Sequence, residues 1–335
     1  MKLISKLLGA TLLAYIAIGA SAAVAIPPLV VFGDSLSDSG NNSLVFGNDS
    51  AQVSLINNTY IPGQTYGSGT YSNGPVWATQ FATLMGFAPL APSLVSGGTN
   101  YAYGGSVTGI DQTVPLPTPP GGSVTLPSLK TQVTSYIASV GGTVSPNGLY
   151  VVAGGGNDAR SILGAVASSG NSGLIQPAVA QYVANVGLMV DALQLAGAQH
   201  IVVWDTPNIG VVPAVIAQGG TGLGTTIASS MNFALAARLA GEAGVLTFDI
   251  FGLPALAASN GFTNVTDACG NPNAACNSDL AHALFFDGIH PTTAAHSFIA
   301  SQMQALVSAV PEPSEVAMML VGFFAVVRIA RRKTA

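Results

Sequence analysis

The chain has 335 residues, of which 49% are hydrophobic and only 7% are charged, with 40 glycines and a formal net charge of −5. Between residues 26 and 310 the imbalance is larger, because only three Lys or Arg residues there face twelve Asp or Glu residues. A protein that binds nucleic acid needs Lys or Arg side chains to neutralise the phosphates, so this composition excludes that class of partner. The length suits one large domain or two modest ones.

The first 25 residues have the pattern of a secretory signal peptide. Two lysines precede an apolar run from Leu7 to Gly19, and the small-residue sequence ASAAVA follows. Cleavage after Ala22 and cleavage after Ala25 both fit this pattern. The run is shorter than the roughly 20 apolar residues of a membrane span, so we expect residues 1–25 to be removed on export rather than to anchor the chain.

Short apolar runs and helical periodicity alternate through the rest of the chain. Four runs without alternation predict strands that are buried on both faces, at 28–32, 149–154, 200–205 and 245–250. Apolar residues three or four apart predict helices at 76–86, 128–140, 175–197, 227–244 and 292–310. This alternation predicts a parallel sheet wrapped by helices in a single domain spanning 26–310. Residues 40–75 and 88–125 are rich in Gly, Asn, Ser, Thr and Pro, and we expect long loops there.

Residues with catalytic chemistry follow two of the predicted strands and precede the last helix. Ser35 comes after the first strand in FGDS, and Asn157 comes after the second in GGGND. Near the end, FFDGIHPT contains Asp287 and His290. Ligands of open α/β sheets bind beyond the carboxyl ends of the strands, so these residues can meet there. The set predicts a serine hydrolase in which Ser35 is the nucleophile, His290 the general base and Asp287 its orienting carboxylate.

An oxyanion hole needs hydrogen-bond donors aimed at the developing negative charge. The candidates are the backbone N–H of Ser35, the side-chain amide of Asn157 and a backbone N–H in GGTNYAYGGS, for which we favour Gly105 over Gly104. We also expect Ser35 to begin a helix, whose N-terminus favours negative charge.

Other polar residues have weaker claims to a role in the chemistry. We expect Asp34 and Asp38 to hold loop and helix-cap hydrogen bonds, and Asp205 to be structural. Arg160 can pair with Asp158 or meet an anionic substrate, and the sequence leaves both open. We assign packing or surface positions to the remaining histidines, His200, His282 and His296.

Cys269 and Cys276 enclose a loop of Gly, Pro, Asn and Ala. In an oxidising compartment two cysteines at this spacing favour a disulfide. A zinc site is the alternative, but the chain has no further cysteine and the loop has no histidine. We therefore predict that the two cysteines are bonded.

Four sequence blocks resemble those of one known family. FGDSLSDSGN, GGTNYAYGGS, VVAGGGNDA and FFDGIHPT look like the blocks of the GDSL esterases/lipases, within the SGNH hydrolase superfamily, in the same order across residues 28–310. The resemblance implies a flavodoxin-like three-layer α/β/α sandwich with a mostly parallel sheet. It also implies no metal or cofactor, and hydrolysis of carboxylic esters of lipid or short-chain acyl groups through an acyl-enzyme. The roles given above to Ser35, Asp287, His290, Gly105 and Asn157 match the family pattern.

The last 25 residues resemble a PEP-CTERM sorting tail. Pro-Glu-Pro at 311–313 precedes a short apolar helix at 316–327 and then a basic cluster. A stretch of this length barely crosses a bilayer, and its basic end is expected to stay cytoplasmic. The resemblance implies a transiently membrane-anchored protein of a Gram-negative bacterium, whose tail an exosortase-type protease recognises on the way to the cell surface or the medium.

Two other functions fit parts of the sequence. Because the tail resembles those of exopolysaccharide-producing bacteria, the enzyme can alternatively be a deacetylase of exopolysaccharide. A non-catalytic glycan-binding protein of the cell surface or biofilm is the alternative from another class. A binding module has no need to keep Ser, Asn, Asp and His together, and hydrolysis of a chromogenic ester discriminates between the two classes.

Overall fold

Four parallel strands form the central sheet, which we describe from a computed structural model covering residues 27–45, 69–115 and 122–309. Numbered in chain order, the strands are β1 (Leu29–Gly33), β2 (Gln112–Pro115), β3 (Ser123–Leu126), β4 (Leu149–Ala153), β5 (His200–Trp204), β6 (Val245–Phe248), β7 (Asn264–Ala268) and β8 (Ala283–Phe285). The sheet order is β1–β4–β5–β6, with Val31, Val151, Val202 and Leu246 aligned across it. Every residue of β1 and β4 is buried, as apolar runs without alternation predict.

Helices cover both faces of this sheet. They are α1 (Asn41–Val45), α2 (Trp77–Met85), α3 (Leu129–Ser139), α4 (Gly156–Ser169), α5 (Ile175–Leu195), α6 (Pro213–Ala217), α7 (Thr221–Leu239), α8 (Leu253–Ser259) and α9 (Thr293–Ser308), with 3₁₀ segments at Ser172–Leu174, Ile209–Val211 and Ala275–His282. On one face, α3, α4, α5 and α7 share a core with Phe32 and Val203. On the other, α2, α8 and α9 share a core with Val31 and Trp204. The predicted three-layer α/β/α fold with a mostly parallel sheet is confirmed.

Helix α7 differs from its predicted bounds, and the helices α1, α4, α6 and α8 are not among the predicted ones. The periodicity predicts a helix at 227–244, whereas α7 spans 221–239 and begins in a Gly- and Thr-rich stretch. No helix is predicted where α4 lies, because its first residues are weak helix formers. α4 forms because Ala159, Ile162 and Val166 lie on one side of it and are buried in the core. Tertiary packing therefore determines where these helices form.

The region 88–125 is more regular than the predicted loop. Residues 99–103 run along the second edge of β1, where Tyr101 donates its N–H to the Val31 carbonyl (2.7 Å) and Tyr103 donates to the Gly33 carbonyl (3.2 Å). Further on, β2 and β3 form an antiparallel hairpin. The edge segment brings the two glycines that follow it, 104 and 105, to the carboxyl end of β1. In the other predicted loop, α1 occupies 41–45, and residues 46–68 lie outside the described part.

A disulfide joins Cys269 and Cys276 in the loop between β7 and β8. Cys269 is fully buried, and its N–H donates to the Phe285 carbonyl (3.1 Å) at the end of β8. The closed loop therefore lies against the segment that leads into Asp287. The proposed signal peptide (1–25) and sorting tail (311–335) lie outside the described residues, so the limits of the domain at 26 and 310 remain predictions.

Asp205 ties the end of β5 to the segment after β6. Its Oδ1 accepts the backbone N–H groups of Ile250 (2.9 Å) and Phe251 (3.0 Å). Burial raises the pKa of this carboxyl to about 7. Asp205 is therefore structural, as the sequence predicts, and it holds in place a segment whose Ile250 lines a cleft beside Ser35.

Gly33→Ala tests the close contact between β1 and β4. An added methyl group would lie 2.6 Å from the Ala153 carbonyl oxygen and 3.0 Å from Ser37 Cβ. Because the carbonyl is part of the sheet, we expect a loss of about 2–3 kcal/mol in the free energy of unfolding, measured in urea. Gly164→Ala is the matched control, since its methyl group meets no atom within 4 Å, and it should add up to about 1 kcal/mol. Equal changes in the free energy of unfolding for the two substitutions would contradict a close contact between Gly33 and Ala153.

Asp205→Asn tests the raised pKa of Asp205 through the pH dependence of stability. The pKa is about 4 in an unfolded chain and about 7 in the fold, so this group stabilises the protein below pH 4 and loses that contribution as the pH rises through 7. Urea midpoints of the wild type should fall over this interval, and those of Asp205→Asn should fall less. Asp267→Asn, at an exposed position, serves as the control, and its urea midpoint should change with pH as that of the wild type does. An identical slope in Asp205→Asn would count against the raised pKa.

Candidate active site

A chain of hydrogen bonds joins the three predicted catalytic residues. The Ser35 Oγ lies 2.8 Å from His290 Nε2, and His290 Nδ1 lies 2.7 Å from Asp287 Oδ2. Because a carboxylate only accepts, Nδ1 carries the proton in this arrangement, and Nε2 accepts the Ser35 hydroxyl. All three residues are buried, at 8%, 3% and 0% exposure in the order Ser35, His290 and Asp287. The nucleophile, base and carboxylate pattern is thus complete in the geometry.

The turn between β8 and α9 presents Asp287 and His290 together. Asp287 Oδ1 accepts the backbone N–H groups of Ile289 (2.7 Å) and His290 (2.6 Å), so the carboxylate is held at both oxygens. The Phe286 N–H donates to the His290 carbonyl (2.8 Å) and closes the turn. Thr292 then caps α9 by accepting the Ala295 N–H (3.1 Å). A three-residue offset is sufficient because the turn folds the imidazole back onto its own carboxylate.

Ser35 lies in a single tight turn after β1. The Asp34 carbonyl accepts the N–H groups of Ser37 and Asp38, both at 3.0 Å, and Asp34 Oδ1 accepts the Leu36 N–H (3.0 Å). Regular helix begins only at Asn41, so the expectation that Ser35 starts a helix is wrong. The polar residues that follow Ser35 satisfy backbone groups in a loop instead. Any charge stabilisation here comes from individual N–H groups rather than from a helix dipole.

The Gln132 side chain on α3 holds the end of β1 at Gly33. Its side-chain amide accepts the Gly33 N–H (2.8 Å) and donates to the Gly33 carbonyl (2.9 Å), and it is fully buried on α3. The same amide nitrogen lies 3.3 Å from Ser106 Oγ. A helix side chain therefore holds the residue two positions before Ser35. The sequence gives no signal for this role of Gln132, because a glutamine in a helical pattern has no motif around it.

Asp38 joins the segment after Ser35 to Gly104. Its Oδ1 accepts the N–H groups of Gly40 (2.8 Å) and Asn41 (2.7 Å), which is a capping role, and its Oδ2 accepts the Gly104 N–H (3.0 Å). Burial raises the pKa of this carboxyl to about 6, against the lowering effect of these N–H groups. Asp34 has a similarly raised pKa of about 6, chiefly because of burial. The structural role predicted for both residues is confirmed.

The bond from Gly104 distinguishes the two glycines. The Gly104 N–H is occupied by Asp38, whereas the N–H groups of Gly105 and Ser35 have no acceptor among the described residues. Gly105 has a φ of +88°, a conformation that glycine adopts most readily. Gly105, Ser35 and His290 line the same cleft. The geometry therefore favours Gly105 as the donor.

Asn157 lies at the start of α4 with its amide held by Ser106. Its Nδ2 donates one hydrogen to the Ser106 carbonyl (2.9 Å), which leaves a second hydrogen on the same nitrogen. Asn157 lines the cleft together with Ser35 and Gly105. Arg160 Nη1 lies 3.4 Å from Asn157 Oδ1. The neighbouring Asp158 accepts hydrogen bonds from the N–H and the hydroxyl of Thr108. These bonds argue against an Asp158–Arg160 pair, which is one of the two roles that the sequence left open for Arg160.

Tyr71 packs on the His290 imidazole, a contact that the sequence does not predict. Its ring centroid lies 5.1 Å from that of His290, and its hydroxyl is hydrogen-bonded to the Asn42 amide. The pKa of Tyr71 is raised, first of all by burial, so the hydroxyl stays neutral. A single tyrosine in a Gly- and Ser-rich stretch has no periodicity, so the sequence carries no signal for this contact.

The other three histidines have no place in the hydrogen-bonded triad. His200 is exposed at the start of β5, and His282 pairs with Asp279 at the surface (2.8 Å). His296 is fully buried on α9, where burial lowers its pKa to about 3, and its ring nitrogens have no hydrogen-bond partner among the described residues.

Comparison with known proteins gives a family match over most of the chain. The model of the GDSL-like lipase/acylhydrolase family matches residues 29–303. Esterase EstA of Pseudomonas aeruginosa is 31% identical over 84% of this chain and 47% of its own length. An uncharacterized protein of Pseudomonas putida, from the trpE-trpG intergenic region, is 29% identical over 89% of this chain and 52% of its own. The chain thus spans about half the length of these curated relatives.

A plant relative matches over a larger share of its own length, and one solved structure aligns with most of this chain. A GDSL esterase/lipase of Arabidopsis thaliana is 23% identical over 83% of this chain and 88% of its own. The structure of Est24, a carbohydrate acetylesterase from Sinorhizobium meliloti, is 14% identical, covers 84% of this chain and 99% of its own, and has a TM-score of 0.43. With a family model matching from β1 to α9, the chain belongs to the GDSL-like lipase/acylhydrolase family.

Proposed function

We propose that the protein is a serine hydrolase that cleaves carboxylic esters through an acyl-enzyme. The observation that carries this proposal is the continuous chain of hydrogen bonds from Ser35 through His290 to Asp287. Family membership supports the same reaction class. A glycan-binding protein without catalysis would gain nothing from a buried serine hydroxyl directed at an oriented imidazole.

Acylation begins with attack of Ser35 Oγ on the ester carbonyl carbon. The hydroxyl proton passes to His290 Nε2, and Asp287 stabilises the imidazolium that forms. The carbonyl oxygen becomes an oxyanion that the N–H groups of Ser35 and Gly105 and the Asn157 amide can stabilise. The bond to the alcohol oxygen then breaks, and His290 returns the proton to that oxygen.

Deacylation repeats these steps with water. His290 takes a proton from water, and the resulting hydroxide attacks the acyl carbon. The same donors hold the second oxyanion. When the bond to Ser35 Oγ breaks, His290 protonates the serine and the carboxylic acid leaves.

Ser35→Ala should reduce the kcat for a p-nitrophenyl ester to less than a few per cent of the wild type, because no acyl-enzyme can form. His290→Ala should have the same effect, since the serine hydroxyl is a poor nucleophile without its base. Ser301→Ala, an exposed hydroxyl on α9, is the matched control and should retain full activity. Circular dichroism checks that each variant is folded. A folded Ser35→Ala variant with substantial turnover would overturn the proposal.

Asn157→Ala should fail in a different way, because it removes one oxyanion donor and keeps the nucleophile. We expect kcat to fall by about 10²–10³, with a smaller change in KM, because the bond strengthens in the transition state. A burst of p-nitrophenol should remain visible only if acylation stays faster than deacylation. A rise in KM alone, with kcat unchanged, would assign Asn157 to ground-state binding instead.

We also propose that the protein is exported and that an exosortase-type protease acts on its tail. The lysine-flanked apolar run at 1–25 and the Pro-Glu-Pro, apolar and basic segments at 311–335 motivate this. The bonded pair Cys269 and Cys276 suits an oxidising compartment. Cell surface or medium is the proposed destination.

Mass spectrometry after alkylation without reductant tests the compartment. Protein expressed from the full chain in a Gram-negative host should have both cysteines bonded and should lack residues 1–22 or 1–25. A variant without residues 1–25 should stay in the reducing cytoplasm with both thiols alkylated. Free thiols and an intact N-terminus in protein from the full chain would contradict export.

A further inference from the structure

Gln132 is a polar residue on the buried face of α3, and it is only 1% exposed. Three other side chains form this face, namely Leu129, Val133 and Tyr136. A buried amide costs free energy unless its polar atoms have hydrogen-bond partners. The Gln132 amide finds these partners outside α3, at Gly33 and Ser106, so its bonds hold other segments rather than its own helix.

The Gln132 amide occupies one position in the hydrogen-bond ladder along the outer edge of β1. Val31 donates its N–H to the Thr99 carbonyl (3.1 Å) and accepts the Tyr101 N–H (2.7 Å), as in a pair of parallel strands. Continued by two residues, this pattern would pair the Gly33 N–H with the Tyr101 carbonyl. The Gly33 N–H instead donates to Gln132 Oε1 (2.8 Å), and the Gly33 carbonyl accepts Gln132 Nε2 (2.9 Å). A side chain therefore replaces the neighbouring backbone two residues before Ser35.

The same amide also reaches the segment that carries another proposed oxyanion donor. Gln132 Nε2 lies 3.3 Å from Ser106 Oγ, and Ser106 directly follows Gly105 in the chain. The Ser106 carbonyl in turn accepts the Asn157 Nδ2 (2.9 Å). Through Gly33 and Ser106, Gln132 is therefore connected to all three proposed donors.

We propose that Gln132 is a positioning residue that sets the spacing of the three oxyanion donors, which are the N–H groups of Ser35 and Gly105 and the Asn157 amide. This inference rests on the proposed ester hydrolysis and adds a residue on which its rate depends. Donors displaced by more than about 0.5 Å leave the productive geometry. Because the oxyanion exists only after attack, loss of Gln132 should lower kcat more than it raises KM.

Gln132→Met tests the proposal on the full chain, because methionine has a similar length and lacks the amide. Its kcat for p-nitrophenyl butyrate should fall at least about tenfold, while KM changes less than about threefold. Tyr150→Phe is the matched control. It also removes a buried hydrogen bond, from the Tyr150 hydroxyl to the Ser145 carbonyl (2.8 Å), but near the first residue of β4. The control should keep kcat within about twofold of the wild type, and urea midpoints measure the stability of both variants.

The double variant with Gln132→Met and Asn157→Ala separates positioning from a general loss of stability. Effects of independent substitutions on kcat multiply. If Gln132 acts through the donors, its substitution should cost at least about threefold less in kcat once the Asn157 amide is absent.

Ser106→Ala is the second variant, because it leaves α3 unchanged and removes only the hydroxyl near Gln132 Nε2. Its kcat should fall about threefold or more with KM unchanged. A folded Gln132→Met variant with the kcat of the wild type, a rise in KM alone, or losses that multiply in the double variant would overturn the positioning role while ester hydrolysis stands. If Gln132→Met does not fold, an unchanged kcat in Ser106→Ala would overturn it. Wild-type protein that hydrolyses the ester no faster than Ser35→Ala would instead overturn the proposed function itself.

Discussion

The Asp38 carboxylate is the group on which the geometry of the site most depends. It lies three residues after Ser35 and accepts backbone N–H groups from its own loop and from Gly104, 66 residues further along the chain. One buried side chain thereby fixes the distance between the Ser35 turn and the two glycines at 104 and 105. Because it occupies the Gly104 N–H, the next N–H in the chain is the one left without an acceptor among the described residues. The spacing of the proposed oxyanion donors follows from this connection.

Two further contacts hold the same region from other directions. Gln132 holds both backbone groups of Gly33 from α3, and the Ser106 carbonyl orients the Asn157 amide. Donors that are held before the substrate arrives cost little reorganisation when charge develops on the carbonyl oxygen. The site is therefore supported by the sheet on one side and by helix side chains on the other, which is the arrangement that precise catalytic geometry requires.

The sequence was sufficient for the parts of the fold that depend on local chemistry. The four central strands could be predicted because runs such as Val30–Phe32 are apolar without alternation, and Asp287 with His290 could be paired because both lie in one turn. The features that depend on tertiary contacts could not be predicted from the sequence. Residues 99–103 are strand-like only because β1 offers them a hydrogen-bonding edge, and α4 is helical because its apolar side meets the core. Tyr71 reaches His290 from a stretch with no pattern at all.

The site combines one very local contact with one very distant contact. Asp287 and His290 are three residues apart and are joined within a single turn, so they form a unit that needs little of the rest of the fold. Ser35 is 255 residues from His290, and only the core that β1, β8 and α9 share brings its hydroxyl to the imidazole. Contacts of such large sequence separation form late, because their loop-closure entropy must be compensated by the assembled core. Under the proposed mechanism, a chain that is still being synthesised therefore carries Ser35 without its base, and His290 reaches Ser35 only when the turn after β8 packs on the completed sheet.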